Sequence, residues 1–209
     1  MSEDKRVGGS LLARAHEWDV AAYRAIAGTS TPLIDEPLRR LSSAANYSRL
    51  SLSAAVVLAV AGGVRGRRAA VTGIASVALA SATVNVGAKL LTRRERPDRE
   101  GHGVVADRHV PMPESTSFPS GHSAAAFAFA AGVRHEWPAA SIPLFLLASA
   151  VAYSRVHTGV HYPGDVAVGS VMGLGAALVA GRVSDALRSG SWRRGGAPPS
   201  GHPPPDLGQ

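Results

Sequence analysis

The chain has 209 residues, of which 45% are hydrophobic and only 5% aromatic, with 22 Lys and Arg against 15 Asp and Glu. It has no cysteine, which excludes a disulfide framework and a thiolate metal site. The basic residues lie almost entirely between apolar runs, as in membrane proteins, and no aromatic platform is interleaved with them, which argues against nucleic-acid binding.

The first predicted elements are two amphipathic helices within residues 1–49. Apolar residues recur at helical spacing over residues 10–43. Residues 28–32 interrupt this pattern, and the Ser and Thr before Pro32 indicate that a second helix begins there. Neither half is apolar enough to cross a bilayer, so we expect both helices to lie at the membrane interface.

Five apolar segments follow within residues 50–183, and the sequence predicts that each crosses the membrane. They are residues 50–64, 69–88, 120–133, 138–154 and 166–181. Gly169 and Gly173 give the last one a small-residue face for close helix packing. We therefore predict an all-α, integral-membrane bundle of five to six helices with amphipathic N-terminal helices, and a disordered tail over residues 184–209 that is rich in Gly, Pro and Ser.

Three polar clusters stand at the ends of the predicted spans: KLLTRRERP at 89–97, PSGH at 119–122 and SRVHTGVHYPGD at 154–165. Because the chain reverses direction with each span, these ends all fall on one membrane face. Topology therefore gathers seven polar residues into one site: Lys89, Arg96, Ser120, His122, Arg155, His161 and Asp165.

The cations of this set predict a pocket for a multiply charged oxyanion. Arginine matches phosphate oxygens with two parallel hydrogen bonds, and lysine adds a point charge. Ser120 is a predicted helix N-cap, and Gly121 lets the backbone approach a ligand, so the helix N-terminus adds N–H donors. Fixed donors of this kind stabilise the charge on a phosphoryl group during transfer.

Phosphoryl transfer also needs a nucleophile and a proton donor. His161 and Asp165 are four residues apart, so the carboxylate can hold one ring nitrogen while the other attacks. His122, on another helix, can protonate the departing alkoxide. The sequence contains no pattern of metal ligands, so we predict neither a metal nor another cofactor.

Together the three clusters resemble the signature of the type-2 phosphatidic acid phosphatase (lipid phosphate phosphatase) superfamily, K-x6-R-P, P-S-G-H and S-R-x5-H-x3-D. The resemblance covers about residues 50–183 and is to small actinobacterial members. It implies a helical membrane bundle, a metal-independent phosphatase and a phosphohistidine intermediate. It also implies His161 as nucleophile, His122 as acid and Asp165 as orienting residue, with phosphate held by Lys89, Arg96, Ser120, Gly121 and Arg155.

The resemblance further implies a phosphorylated lipid substrate and a multi-pass protein of the bacterial cytoplasmic membrane. Prenyl-linked phosphates are preferred by analogy, and phosphatidic acid and phosphatidylglycerol phosphate remain candidates. Two alternatives stay open: a vanadate-dependent haloperoxidase, which is similar at the motif positions, and a phospholipid binder without turnover. The sequence indicates no oligomeric state. With five spans, 14 Lys and Arg fall on the motif face and 8 on the other, which favours a cytoplasmic site unless the N-terminal region crosses the bilayer.

Several polar residues near the motifs have less specific interpretations. Arg93, Arg94 and Arg99 either anchor the chain at the membrane interface or attract an anionic headgroup. His157, one helical turn before His161, is interpreted as a structural residue. Asn85 is predicted to be a buried amide that joins two helices.

Overall fold

The computed structural model describes residues 3–88 and 94–190, with side chains from residue 13 onward, and within these ranges it is helical without any strand. This confirms the predicted all-α class. Its α-helices are α1 (Glu3–Gly28), α2 (Pro32–Ala44), α3 (Arg49–Ala61), α4 (Gly63–Ala82), α5 (Gly121–Glu136), α6 (Pro138–His157) and α7 (Pro163–Ser189).

The two N-terminal helices occur where the apolar periodicity predicted them. Thr29 ends α1 by donating its hydroxyl to the carbonyl of Ala25 (2.7 Å), and Pro32 is the first residue of α2. A proline suits that position because its missing N–H would have no helical partner there. The chain then bends by 70° between α2 and α3.

The third and fourth helices differ from the prediction. A polar break was expected after residue 64, but α3 ends at Ala61 and α4 already begins at Gly63. Gly63 makes the turn with φ +58, and a Cβ on Gly66 would lie 2.0 Å from the carbonyl oxygen of Leu58, so the two helices pack very closely here. The arginines expected in the break, such as Arg65, are exposed on the first turns of α4 and therefore do not interrupt the helix.

Fewer helices than the five predicted are long and apolar enough to cross a membrane. In the described part of the chain they are Gly63–Val86, Pro138–His157 and Pro163–Ser189, with a fourth if the bent pair Pro32–Ala44 and Asn46–Ala61 is one span. The difference arises because α3 has 13 residues and α5 has 16, whereas a full crossing needs about 20.

The core is built from small residues around α5, which packs against α4, α6 and α7. Ala124 and Ala128 of α5 are fully buried, and a Cβ on Gly173 of α7 would lie 2.2 Å from the carbonyl oxygen of Ala124. This confirms Gly169 and Gly173 as a packing face. The outer surfaces instead expose large aliphatic side chains, as expected for a bundle surrounded by lipid.

The ends of the core helices that carry the sequence motifs meet at one end of the bundle. The chain from residue 94 to 120 returns there between α4 and α5, and the link between α6 and α7 lies beside it. The backbone N–H of Ser120 donates to the carbonyl oxygen of Asp165 at 2.9 Å, which ties the start of α5 to the start of α7. α7 continues to Ser189, and residues 191–209 of the predicted tail lie outside the described residues.

Candidate active site

A cavity of about 260 Å³ opens at this end of the bundle. It is lined by residues of the α2–α3 turn, the end of α4, the 94–120 segment, the start of α5 and the α6–α7 link. Four predicted site residues contribute to its lining, namely Arg96, Gly121, His122 and His161. Asn85 also lines it and is exposed, so the prediction of a buried amide between helices is wrong.

The two nitrogens of His161 have different surroundings, and this difference fixes its tautomer. Nε2 lies 3.3 Å from Nη1 of Arg96, which also donates to the carbonyl oxygen of Val160 at 2.7 Å. A guanidinium group only donates hydrogen bonds, so Nε2 must be the acceptor and Nδ1 must carry the hydrogen. The free electron pair of the ring therefore points toward the guanidinium of Arg96.

Burial keeps the ring of His161 neutral. The side chain is 2% exposed, and this desolvation lowers the pKa of His161 to about 4, against the opposing influence of Asp165. Its Nδ1 lies 3.5 Å from Oδ2 of Asp165, which is longer than the usual hydrogen bond of about 2.7–3.2 Å. The ring is therefore neutral at neutral pH, with the Asp165 carboxylate next to its Nδ1.

Asp165 is fully buried, and three donors hold its carboxylate. Oδ1 accepts from Nη1 of Arg94 at 2.7 Å, and Oδ2 accepts from the hydroxyl of Ser117 and from the backbone N–H of Tyr162 at 2.9 Å. Arg94 also lies over the Tyr162 ring, 4.2 Å from its centroid. A buried carboxylate with this many donors stays ionised and immobile.

The same arginine connects the site to the N-terminal helix. Nη2 of Arg94 donates to Oδ2 of Asp19 on α1 at 2.7 Å, and Oδ1 of Asp19 accepts from the backbone N–H of Gly164 at 2.7 Å. Neither interpretation offered for Arg94 is correct, because the residue is a bridge between two carboxylates. Arg99 also has a partner within the protein, because its Nη1 donates to the carbonyl oxygen of Val110 at 2.8 Å. Arg93 lies outside the described residues.

His122 occupies the first turn of α5 and faces a residue that the sequence did not single out. Its Nε2 lies 2.9 Å from Oδ1 of Asn46, in the turn between α2 and α3. An amide oxygen accepts hydrogen bonds, so Nε2 of His122 carries a hydrogen. Asn46 therefore holds the Nε2–H, and a proton for a leaving group would come from Nδ1 of the protonated ring.

Ser120 is the N-cap of α5, as predicted, but its side chain serves the helix. Its hydroxyl oxygen accepts from the N–H of Ser123 at 3.4 Å and from the hydroxyl of Ser123 at 3.0 Å, and the residue is fully buried. Gly121, by contrast, lines the cavity. The start of α5 therefore presents backbone rather than the Ser120 hydroxyl to a ligand.

The remaining predicted cations are Arg155 and Lys89. Arg155 is 1% exposed, and its Nη1 donates to the carbonyl oxygen (3.1 Å) and the hydroxyl (2.7 Å) of Ser42 on α2, while its buried Nε has no hydrogen-bond partner. Lys89 lies outside the described residues.

His157 is buried beside Thr31 (3.0 Å) and Asp35 (3.1 Å) and is a structural residue, as interpreted.

An apolar cleft begins at the same histidine that lines the cavity. Besides His122, its lining comes mainly from α3, α5 and α6, with Leu50, Ala54, Ala125, Phe129, Leu144 and Leu147 among the members. His122 is thus shared by a polar cavity and a small apolar cleft of about 30 Å³. Within the described residues, no group of three or more His, Cys, Asp or Glu side chains is arranged to hold a metal ion.

The sequence matches the PAP2 superfamily over residues 69–189, which is more than half of the chain and includes all three motif clusters. The chain belongs to the PAP2 superfamily. Residues 1–68, which hold Asp19, Ser42 and Asn46, lie outside the matched region, and this explains why the family motifs did not point to them.

Curated PAP2 relatives include the decaprenylphosphoryl-5-phosphoribose phosphatase of two Mycobacterium tuberculosis strains, CDC 1551 / Oshkosh and H37Rv. Each is 37% identical over 106 residues, which is 50% of this chain and 54% of the relative. The chain thus spans about half the length of the curated relatives it matches.

Two solved structures are similar to this chain in fold. Aquifex aeolicus LpxE has a TM-score of 0.61 and 25% identity, covering 77% of this chain and 93% of that one. A transmembrane PAP2-type phosphatidylglycerolphosphate phosphatase from Bacillus subtilis has a TM-score of 0.65 and 22% identity, covering 83% and 88%.

Proposed function

We propose that this protein is a membrane phosphatase that hydrolyses the phosphate monoester or diphosphate of a lipid through a phosphohistidine on His161. The observation that carries the proposal is the position of His122 at the junction of two spaces. One is a polar cavity that contains Arg96 and the nucleophile. The other is an apolar cleft between helices. A molecule with a phosphate at one end and hydrocarbon at the other fits both.

In the first step, Nε2 of His161 attacks phosphorus. The N–P bond forms as the ester P–O bond breaks, and His122 gives its proton to the departing oxygen. Arg96, the backbone at Gly121, and the cations Arg155 and Lys89 hold the phosphoryl oxygens, while Asp165 binds Nδ1–H and stabilises the positive charge that develops on the ring.

In the second step, water replaces the lipid. His122, now neutral, takes a proton from the water as its oxygen attacks phosphorus, and the N–P bond breaks. Inorganic phosphate leaves, and both histidines return to their initial protonation states. All atoms and protons balance with water as the sole co-reactant, so this scheme needs neither metal nor redox cofactor.

For the substrate class we favour a prenyl-linked phosphate in the bacterial cytoplasmic membrane. The curated relatives are named for a decaprenyl-linked phosphoribose, and the matched half of the chain carries the catalytic motifs. Phosphatidic acid and phosphatidylglycerol phosphate remain in the test. A haloperoxidase activity is not favoured, because these relatives are phosphatases by name.

The test is phosphate release by the purified full-length protein in detergent, with EDTA present, from a panel of lipid phosphates. The panel contains phosphatidic acid, phosphatidylglycerol phosphate, prenyl monophosphate, prenyl diphosphate and a prenyl-linked sugar phosphate. The His161→Ala variant is assayed in parallel, and vanadate with peroxide and bromide tests for halide oxidation.

We expect release in the presence of EDTA, fastest from a prenyl-linked lipid, and a loss of at least about a thousandfold in His161→Ala because the nucleophile is gone. Full activity of His161→Ala would exclude the phosphohistidine mechanism. Binding of the lipids without release from any of them would favour the silent binder instead.

A further inference from the structure

The turn between α2 and α3 contacts the cavity on the side of His122. Ala45, Tyr47 and Ser48 of this turn line the cavity together with both histidines. Ser48 also lines the apolar cleft. The turn lies outside residues 69–189, so the family match assigns it no role.

The backbone of this turn has an unusual conformation. Tyr47 has φ 55 and ψ 29, and Ser48 has φ 56 and ψ 23, so two consecutive residues with side chains are left-handed. Such a conformation is unfavourable for a residue with a side chain and persists only where the surrounding structure imposes it. Neither position is a glycine, and the turn nevertheless keeps the shape that brings Asn46 to the general acid.

The contact that this shape produces is the one between Oδ1 of Asn46 and Nε2 of His122, at 2.9 Å. A hydrogen bond accepted from an imidazolium is stronger than one accepted from neutral imidazole. An acceptor at this position therefore favours the protonated ring and fixes its orientation. Both effects assist the ring in delivering a proton.

We propose that Asn46 is a positioning residue for His122, holding the protonated ring where it meets the ester oxygen of the leaving group. As the bond between His161 and phosphorus forms and the P–O bond breaks, one proton passes from the imidazolium to the alkoxide oxygen, and the neutral ring keeps its hydrogen bond to Asn46. The inference rests on the proposed phosphatase function.

The first test compares two leaving groups. An alkoxide needs protonation to depart, whereas p-nitrophenolate does not, so a defect in the general acid affects only the former. The ratio kcat/KM contains only the steps up to departure of the leaving group, so the second step, which both substrates share, does not enter it. We expect Asn46→Ala to lower kcat/KM for dioctanoyl phosphatidic acid about tenfold or more and to change kcat/KM for p-nitrophenyl phosphate less than about twofold. Equal loss on both substrates would overturn the inference and assign Asn46 a structural role.

The second test is the pH dependence of kcat with dioctanoyl phosphatidic acid. Asn46→Ala removes the acceptor, so the alkaline limb moves to lower pH; Asn46→Asp adds a negative charge beside the imidazolium, so the limb moves to higher pH. A limb that stays in place, or that moves the same way in both variants, would contradict the proposal. Asn46→Asp keeps the side-chain size, so its profile alone decides the matter if Asn46→Ala does not fold.

These outcomes separate the two proposals. Wild-type protein that releases phosphate neither from these two substrates nor from any lipid of the panel would overturn the phosphatase function and this inference with it. Wild-type activity combined with equal losses in Asn46→Ala would overturn the role of Asn46 alone.

Discussion

His161 combines burial with two neighbours of opposite charge. Arg96 approaches Nε2 at 3.3 Å, and Asp165 stands 3.5 Å from Nδ1. The guanidinium of Arg96 lies in the direction from which a phosphate would approach Nε2, so a bound phosphate would replace the ring as the acceptor of this hydrogen bond. Positive charge on the phosphorylated ring would then strengthen the weak contact with Asp165.

The low pKa of His161 predicts a pH-dependent stability. Burial lowers the pKa of His161 from 6.5 to about 4, so between these values the unfolded chain binds a proton that the folded chain does not. The folded state therefore loses stability as the pH falls, by about 2 kcal/mol from pH 7 to pH 5 for this one group. In His161→Gln, we expect the fall in Tm over that interval to be about 4–8 °C smaller than in the wild type.

Thermal unfolding in detergent at the two pH values measures this difference. An identical pH response in wild type and His161→Gln would show that the buried ring is not held neutral.

Residue spacing predicted part of this site and could not predict the rest. The four-residue interval placed His161 beside Asp165, and the alternation of spans brought His122 to the same cavity. Ser117 and Arg94 were not predicted as partners of Asp165, because their contacts depend on how the 94–120 segment folds back. The roles of Ser120 and Gly121 were also only partly predicted, since the N-cap was foreseen but the buried hydroxyl was not.

At the scale of elements, α1 is part of the catalytic end of the bundle. Asp19 binds the first turn of α7 through the N–H of Gly164 and binds Arg94, which in turn holds Asp165. The amphipathic pattern correctly predicted that this segment is a helix, and its position at the membrane interface stays a prediction. Periodicity could not show which residues α1 contacts, because it reports only which face of a helix is apolar.

Removing the charge of Asp19 is expected to slow catalysis. In Asp19→Asn the amide can still accept from Gly164, but Arg94 loses one charged partner and holds Asp165 less firmly. We expect kcat to fall about tenfold, which corresponds to about 1.5 kcal/mol for one hydrogen bond to a charged group, with KM nearly unchanged.

Steady-state kinetics on the best lipid of the panel would measure this effect. Glu17→Gln, which removes a carboxylate from an exposed position on the same helix, is the matched control and should retain wild-type kcat. A tenfold loss in both variants would indicate a general effect of charge on α1 rather than the Arg94 bridge.

The α3–α4 region shows where sequence patterns reach their limit for elements. The bounds of the apolar segments predicted a break over residues 65–68, but the turn occurs at Gly63, where a positive φ and the close approach of Gly66 to Leu58 allow two helices to meet. A hydropathy pattern reports which residues avoid lipid and not where the backbone reverses.

At the scale of the whole molecule, two exposed residues mark the two ends of the bundle. Glu114 lies in the exposed chain at the cavity end, and Arg67 is exposed at the start of α4, on the opposite side of a helical segment long enough to cross the membrane. The chain has no cysteine, so a single introduced thiol reports its position without background.

We expect Glu114→Cys and Arg67→Cys to react with a membrane-impermeant maleimide from opposite sides of the membrane. Labelling in intact spheroplasts and in inverted vesicles would show this, and the side that labels Glu114→Cys identifies the membrane face on which the phosphate is released. Labelling of both positions from one side would contradict α4 as a spanning helix.

The burial of Arg155 has a consequence for protein engineering. This motif arginine donates to the carbonyl and hydroxyl of Ser42, which belongs to α2 and precedes the region shared with the family. A chimera that exchanges only the shared region between relatives would separate a buried cation from its acceptors, at a cost of several kcal/mol. The smallest transplantable unit of this protein therefore starts well before its signature motifs.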